Sequence, residues 1–149
     1  MSDTSRARTY GDVLVLGLGK TGDAVAGYMA GLVQGGRVSS VVLYGGAKSQ
    51  PGPVTEELER AGVRVVCGTE QVEGHYDTCI ASPGISEFSD FCRSADAASD
   101  AIFGEPELAW RESPERWVGI TGTNGKTTTT TLARDLLRAG GLAAEAVGN

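Results

Sequence analysis

Histidine occurs once, at His75, and cysteine three times, at Cys67, Cys79 and Cys92, with no C-x-x-C pair. That scarcity excludes a zinc site at motif spacing, and an odd, unframed cysteine count suits a reducing compartment. Cys67 and Cys79 sit in the apolar runs VRVVC and DTCIA and are expected to be buried structural thiols. His75, inside TEQVEGHYD, reads as a solvated loop residue. No apolar run reaches the roughly 18 residues of a membrane span. The opening MSDTSRARTYGD lacks the apolar stretch of a signal peptide, so a cytoplasmic location without a membrane partner is expected. Positive charge is also in deficit: 13 Lys plus Arg face 19 Asp plus Glu, a net charge of −6. Nucleic-acid binders usually carry a basic face, so no nucleic-acid partner is expected. A monomer that handles small molecules fits better.

Glycine is what the chain has in excess, with 22 in 149 residues, about twice the usual share of roughly 7%. The surplus falls at punctuation points between apolar runs. Residues 12–16 (DVLVL) read as a buried parallel strand, and 23–34 as a helix ending at Gly35-Gly36. A second strand is predicted at 40–44, a short helix at 55–61 stopped by Gly62, and further strands at 63–67 and 77–81. Helical stretches follow at 86–98 and 105–111, then a strand at 116–121 and a helix at 126–139. Strands alternating with helices in this way predict an α/β, Rossmann-like doubly wound parallel sheet with right-handed crossovers. The last strand-loop-helix unit has no complete sheet of its own to cover. Residues 1–103 are therefore expected to form one domain, and 104–149 the start of a second, P-loop ATPase domain.

Two glycine loops carry the chemistry. Gly17-Leu18-Gly19-Lys20-Thr21-Gly22 is a G-x-G-x-x-G between a predicted strand and a predicted helix. The physics asks for glycine at the tight turn, at the closest approach to a diphosphate, and where helix meets strand. The helix N-terminus then offers free N–H groups and a positive dipole end. A nicotinamide-binding oxidoreductase or sensor would also need Asp or Glu about 20 residues on, to hold the ribose hydroxyls. No acidic residue lies between Asp23 and Glu56, and the second strand ends in Tyr44-Gly45-Gly46. The loop reads as a diphosphate cradle for something other than NAD, although the NAD reading stays open. The second loop, Thr121-Gly122-Thr123-Asn124-Gly125-Lys126-Thr127-Thr128, departs from the strict P-loop by one residue, since Ile120 stands at the first glycine position. It could still wrap a phosphate in backbone N–H groups, with Lys126 neutralising oxygens and Thr127 holding Mg²⁺. Five consecutive threonines, Thr127 to Thr131, are poor helix formers whose presence calls for a reason.

At TGTNGKTT the sequence resembles the Mur ligases, ATP-dependent amide-forming enzymes of peptidoglycan precursor synthesis, which share this shortened loop. VLVLGLGKTG near the start, ASPGI at Ala81–Ile85 and GEPEL at Gly104–Leu108 follow in the family's order. Together they resemble the branch that adds D-glutamate to UDP-N-acetylmuramoyl-L-alanine, over nearly all the chain from Asp12 but only the front third of a family enzyme. The resemblance implies that Gly17, Gly19, Lys20, Thr21 and Gly22 meet the UDP, with Ser82, Pro83 and Gly84 closing from the fourth strand's end. It implies that Gly122, Thr123, Asn124, Gly125, Lys126, Thr127 and Thr128 carry ATP and Mg²⁺. Lys126 is then the catalytic residue and Asn149 a substrate contact. The implied reaction forms an acyl phosphate that the D-glutamate amine attacks. Some relatives place an acidic residue at the second strand's end to contact uracil; here stacking by Tyr44 is the alternative. Another Mur-type or a folylpolyglutamate-type ligase would share the second loop's style. The 149-residue chain itself is expected to capture the UDP substrate without turnover.

Overall fold

The computed structural model describes residues 8–114 and 116–148. Five strands form one parallel sheet: β1 (Gly11–Leu16), β2 (Val38–Tyr44), β3 (Arg64–Val66), β4 (Thr78–Ala81) and β5 (Ile102–Gly104), in the order β3-β2-β1-β4-β5. The Rossmann-like doubly wound fold expected from the sequence is present. Parallel strands need covering on both faces, which is why β1 runs as unbroken aliphatics rather than alternating. Val13, Leu14, Val15 and Leu16 are all fully buried, each contributing about 1.5–3 kcal/mol relative to an exposed side chain.

Val13 and Val15 face one layer, where helices α1 (Lys20–Gly31), α2 (Pro53–Arg60) and α4 (Glu105–Glu112) supply Met29, Leu58 and Leu108. Leu14 and Leu16 face the other, with Phe91 and Ala95 of α3 (Asp90–Ala97). Tyr44 belongs to this second core. It is buried, and its hydroxyl accepts from the Glu73 N–H at 3.1 Å. Its ring is therefore core and not free to stack on a base, contrary to the alternative the sequence left for it. Cys79 is fully buried, with its thiol pushed up to about 12 by that burial, whereas Cys67 is only partly covered. His75 is exposed beside Asp100 at 3.3 Å.

Local signals moved several boundaries. The third helix starts at Asp90 rather than Ser86, because Ser89 caps it by accepting from Cys92 N–H at 3.1 Å. The β5 strand, three residues long, is too short for a periodicity to show. The strand expected at 116–121 is absent among the described residues. A strand persists only within a ladder, and nothing pairs with these residues.

The first compact unit closes at Glu112, not at 103. Its last helix is locked by Glu112, whose carboxylate takes both guanidinium arms of Arg37 (2.6 and 2.9 Å) and the hydroxyls of Tyr10 (2.6 Å) and Tyr28 (2.5 Å). Hydrogen bonds from Arg37, and then from the two phenols, outweigh burial and hold the Glu112 carboxyl at about 2. The Tyr10 phenol is pushed up, first by burial and then by its bond to that carboxylate.

The second unit begins at Ser113. It contains α5 (Lys126–Ala139), in which no residue is buried. Its leucines Leu132, Leu136 and Leu137 are exposed. No helix among the described residues is long and apolar enough to cross a membrane.

Candidate functional site

Strand order reverses between β1 and β4, since β2 and β3 extend the sheet on one side and β5 on the other. In open parallel sheets ligands enter the crevice at the carboxyl end of this switch point. Here that crevice is bounded by the loops the sequence singled out. Leu16 pairs with Tyr44 on one side and Ala81 on the other, so Gly17, Gly45 and Ser82 emerge level with one another. Gly17 N–H donates to Tyr44 C=O at 2.8 Å, and Ser82 N–H donates to Leu16 C=O at 2.9 Å.

The three motif glycines have separate structural reasons. Gly17 turns the chain at φ +102°, and a Cβ there would lie 3.1 Å from the Ser82 side chain. A Cβ on Gly22 would lie 1.8 Å from the Gly17 carbonyl oxygen, so α1 can start this close to β1 only without a side chain. Gly19 has extended backbone and nothing within 4 Å of a Cβ position, which leaves open space beside the helix end. No side chain caps that end, and its first N–H groups stay available to an anion. Lys20 is exposed in the first turn and Thr21 half-buried.

Ser82 adds a polar group that the motif alone did not reveal. Its Oγ is buried and has no hydrogen-bond partner among the described residues, and it lies 3.2 Å from the Cβ position of Gly22. A hydroxyl left in this state costs about 1–3 kcal/mol, which a bound acceptor would recover. Pro83 and Gly84 are exposed in the turn that follows, closed by Ile85 N–H donating to Ser82 C=O at 3.0 Å. Asp23, also in the first turn of α1, has a buried carboxylate oxygen without a partner, and burial raises its pKa. The sequence had given it no role.

The second loop forms its own cradle. Gly125 caps α5 in the left-handed region at φ +75°, again without a side-chain cap. Lys126 Nζ donates to the Gly122 carbonyl at 2.5 Å, so the ammonium is folded back over the loop. Gly122 to Thr128 are all exposed. Cation, uncapped helix end and open loop together fit a polyphosphate. Thr127 is exposed in the first turn of α5, and no group of three or more His, Cys, Asp or Glu able to hold a metal occurs among the described residues. Farther on, Thr130 returns its hydroxyl to Lys126 C=O at 2.8 Å, one way a threonine run is accommodated in a helix. Asn149 lies outside the described residues.

The fold and the switch-point crevice define a Rossmann-like α/β protein with a glycine loop of the phosphate-binding type. No family model matches the chain. The particular resemblance is to UDP-N-acetylmuramoylalanine–D-glutamate ligase. Those of Streptococcus pyogenes serotype M1 and of serotype M4 (strain MGAS10750) are 35% identical over 141 residues. The serotype M5 (strain Manfredo) protein is 34% identical over 141 residues. In each case the match covers 92% of this chain but 30% of the relative, so the chain spans under a third of its relatives' length.

Proposed function

We propose that this polypeptide is the UDP-substrate-binding portion, with the first part of the ATP-binding portion, of a cytoplasmic ligase of peptidoglycan precursor synthesis. The parent reaction is the addition of D-glutamate to UDP-N-acetylmuramoyl-L-alanine. The observation that carries the first half is the switch-point geometry: open space at Gly19, uncapped N–H groups on α1 and an unpartnered Ser82 hydroxyl bounding one crevice. These are the groups a diphosphate needs, and an NAD site would lack its ribose-binding acid at the end of β2. Similarity to ligases whose name specifies D-glutamate and a UDP-sugar supports the substrate.

In this reading Gly17, Gly19, Lys20, Thr21 and Gly22 receive the diphosphate, while Ser82, Pro83 and Gly84 close on it from β4. ATP with Mg²⁺ would supply the phosphoryl group that activates the substrate carboxylate as an acyl phosphate. Gly122 to Gly125 orient the phosphates through backbone N–H groups. Lys126 moves from the Gly122 carbonyl to the developing negative charge, the electrostatic role such reactions require. Thr127 contributes one oxygen to the cation, Thr123, Asn124 and Thr128 line the cradle, and Asn149 contacts the substrate. The 149-residue chain binds the UDP substrate but does not ligate.

Separate titrations with UDP and NAD, followed by amide NMR shifts, test the proposal. UDP is expected to move the Gly17–Gly22 and Ser82–Gly84 amides. Shifts with NAD alone, or none in these segments with UDP-N-acetylmuramoyl-L-alanine, refute it.

A further inference from the structure

Base recognition is the part of the crevice left without a residue once Tyr44 is assigned to the core. The loop after β2 supplies no ring; its exposed polar side chains are Lys48 and Gln50. Gly45, Gly46 and Ala47 carry no polar side chain, and the Ser49 hydroxyl is already committed, donating to Gly46 C=O at 2.6 Å and accepting from Gly68 N–H at 3.1 Å. Such amine and amide groups can reach a base edge, whereas the face of a base is met best by an aromatic ring.

Most aromatic rings of the first unit are unavailable. Tyr10, Tyr44, Tyr76, Phe91 and Phe103 are buried. Tyr28 is bound to Glu112, and Trp110 lies two residues before Glu112 in α4, the helix end tied to Tyr10 and Arg37 just ahead of β1 and β2. The exception is Phe88. It is 74% exposed, more than any other large apolar side chain in the described residues. A phenyl ring held in water sacrifices much of the roughly 1.5–3 kcal/mol its burial would contribute.

Phe88 is also held in place. It follows Ser82–Gly84 on the loop leaving the carboxyl end of β4 and immediately precedes the α3 cap, Ser89. Ser86 Oγ accepts from Phe88 N–H at 3.3 Å, and Ser89 Oγ donates to Ser86 C=O at 2.7 Å. Three residues on, Phe91 of α3 packs against the loop after β2, 3.3 Å from the Cβ position of Gly46. The segment carrying Phe88 thus runs from the β4 side of the crevice to a helix that reaches the β2 loop.

We propose that Phe88 is the base-contacting residue of the crevice, its exposed ring forming the platform on which the uracil of the uridine diphosphate stacks. The proposal rests on the UDP reading given above and adds the residue that distinguishes a nucleotide from a bare diphosphate.

The 149-residue chain, its Phe88→Ala and its Phe88→Trp variants are titrated with UDP and, separately, with inorganic pyrophosphate. Saturation transfer to the uracil protons is recorded in parallel. An exposed ring can be removed without disturbing the core. Phe88→Ala is expected to weaken UDP binding about tenfold, within the range for base–aromatic stacking. Pyrophosphate binding stays unchanged, saturation transfer to uracil is lost, and Phe88→Trp retains both affinity and transfer. If wild type binds UDP and Phe88→Ala binds it equally well, the platform is refuted and the UDP reading stands. If Phe88→Ala weakens UDP and pyrophosphate alike, the ring acts through the loop and the platform is again refuted. If the wild-type chain fails to bind UDP, the reading of the crevice falls and this proposal with it.

Discussion

Replacing Glu112 by Gln removes one charge from the site where α4 is fastened to the first unit. Four donors converge on that carboxylate, two from Arg37 and one each from Tyr10 and Tyr28. Arg37 and Glu112 keep only 22% and 16% of their side-chain surface, so solvent screening is limited. The carboxyl is lowered from its ordinary 4.5 to about 2. At about 1.4 kcal/mol per unit of pKa, that displacement corresponds to about 3 kcal/mol of stabilisation. Its sign follows from proton linkage. A carboxyl with a depressed folded-state pKa binds its proton more readily when unfolded, so its contribution is complete above about pH 5 and disappears as pH falls toward 2. Urea denaturation of wild type and Glu112→Gln, followed by far-ultraviolet circular dichroism at a series of pH values, reads this directly. The variant should be less stable by about 2–3 kcal/mol at pH 7. The gap should close between pH 4.5 and pH 2, where other carboxylates titrate equally in both proteins and cancel. Equal stability at neutral pH, or a gap that persists at pH 2, would refute the clamp as described.

Gly22→Ala should destabilise the first unit by about 2 kcal/mol or more through overpacking, and a normal urea midpoint would show that α1 can shift away from the Gly17 carbonyl. In a full-length ligase carrying this segment, Lys126→Ala should abolish acyl-phosphate formation while UDP-substrate binding persists. Near-normal turnover of that variant would remove Lys126 from the catalytic assignment.

The aliphatic run DVLVL and the glycine punctuation made the parallel sheet legible, because a strand buried on both faces and a βα turn each leave local signatures. The glycine spacing likewise marked the two uncapped helix starts at Lys20 and Lys126. What stayed hidden depends on residues far apart in sequence. Tyr44 ends a strand beside a glycine loop, a position where a ligand contact is plausible, and only the packing of Tyr76 and Phe91 around it reveals a core residue. The Glu112 clamp joins four residues spread over about a hundred positions, and no local pattern announces such a cluster. It is also why the first unit ends later than the sequence suggested: α4 is a short amphipathic helix whose allegiance is decided by Leu108 and Glu112, not by its own composition. Nothing local sets Phe88 apart, since an exposed phenylalanine in a serine-rich turn has no periodicity or motif around it.

The pairing of β1 with β4 sets Gly17 beside Ser82, residues more than sixty positions apart. The crevice therefore has no existence in any short stretch of the chain. It appears only when the first strand has been enclosed on both sides, a long-range closure that folds slowly compared with local helices. A ligand that binds there draws its affinity from completed folding and returns it as stability, in proportion to the logarithm of its concentration over its dissociation constant. Any ligand of the crevice would then act as a thermodynamic chaperone for the sheet, since a chain that has lost the β1–β4 seam has lost its receptor as well.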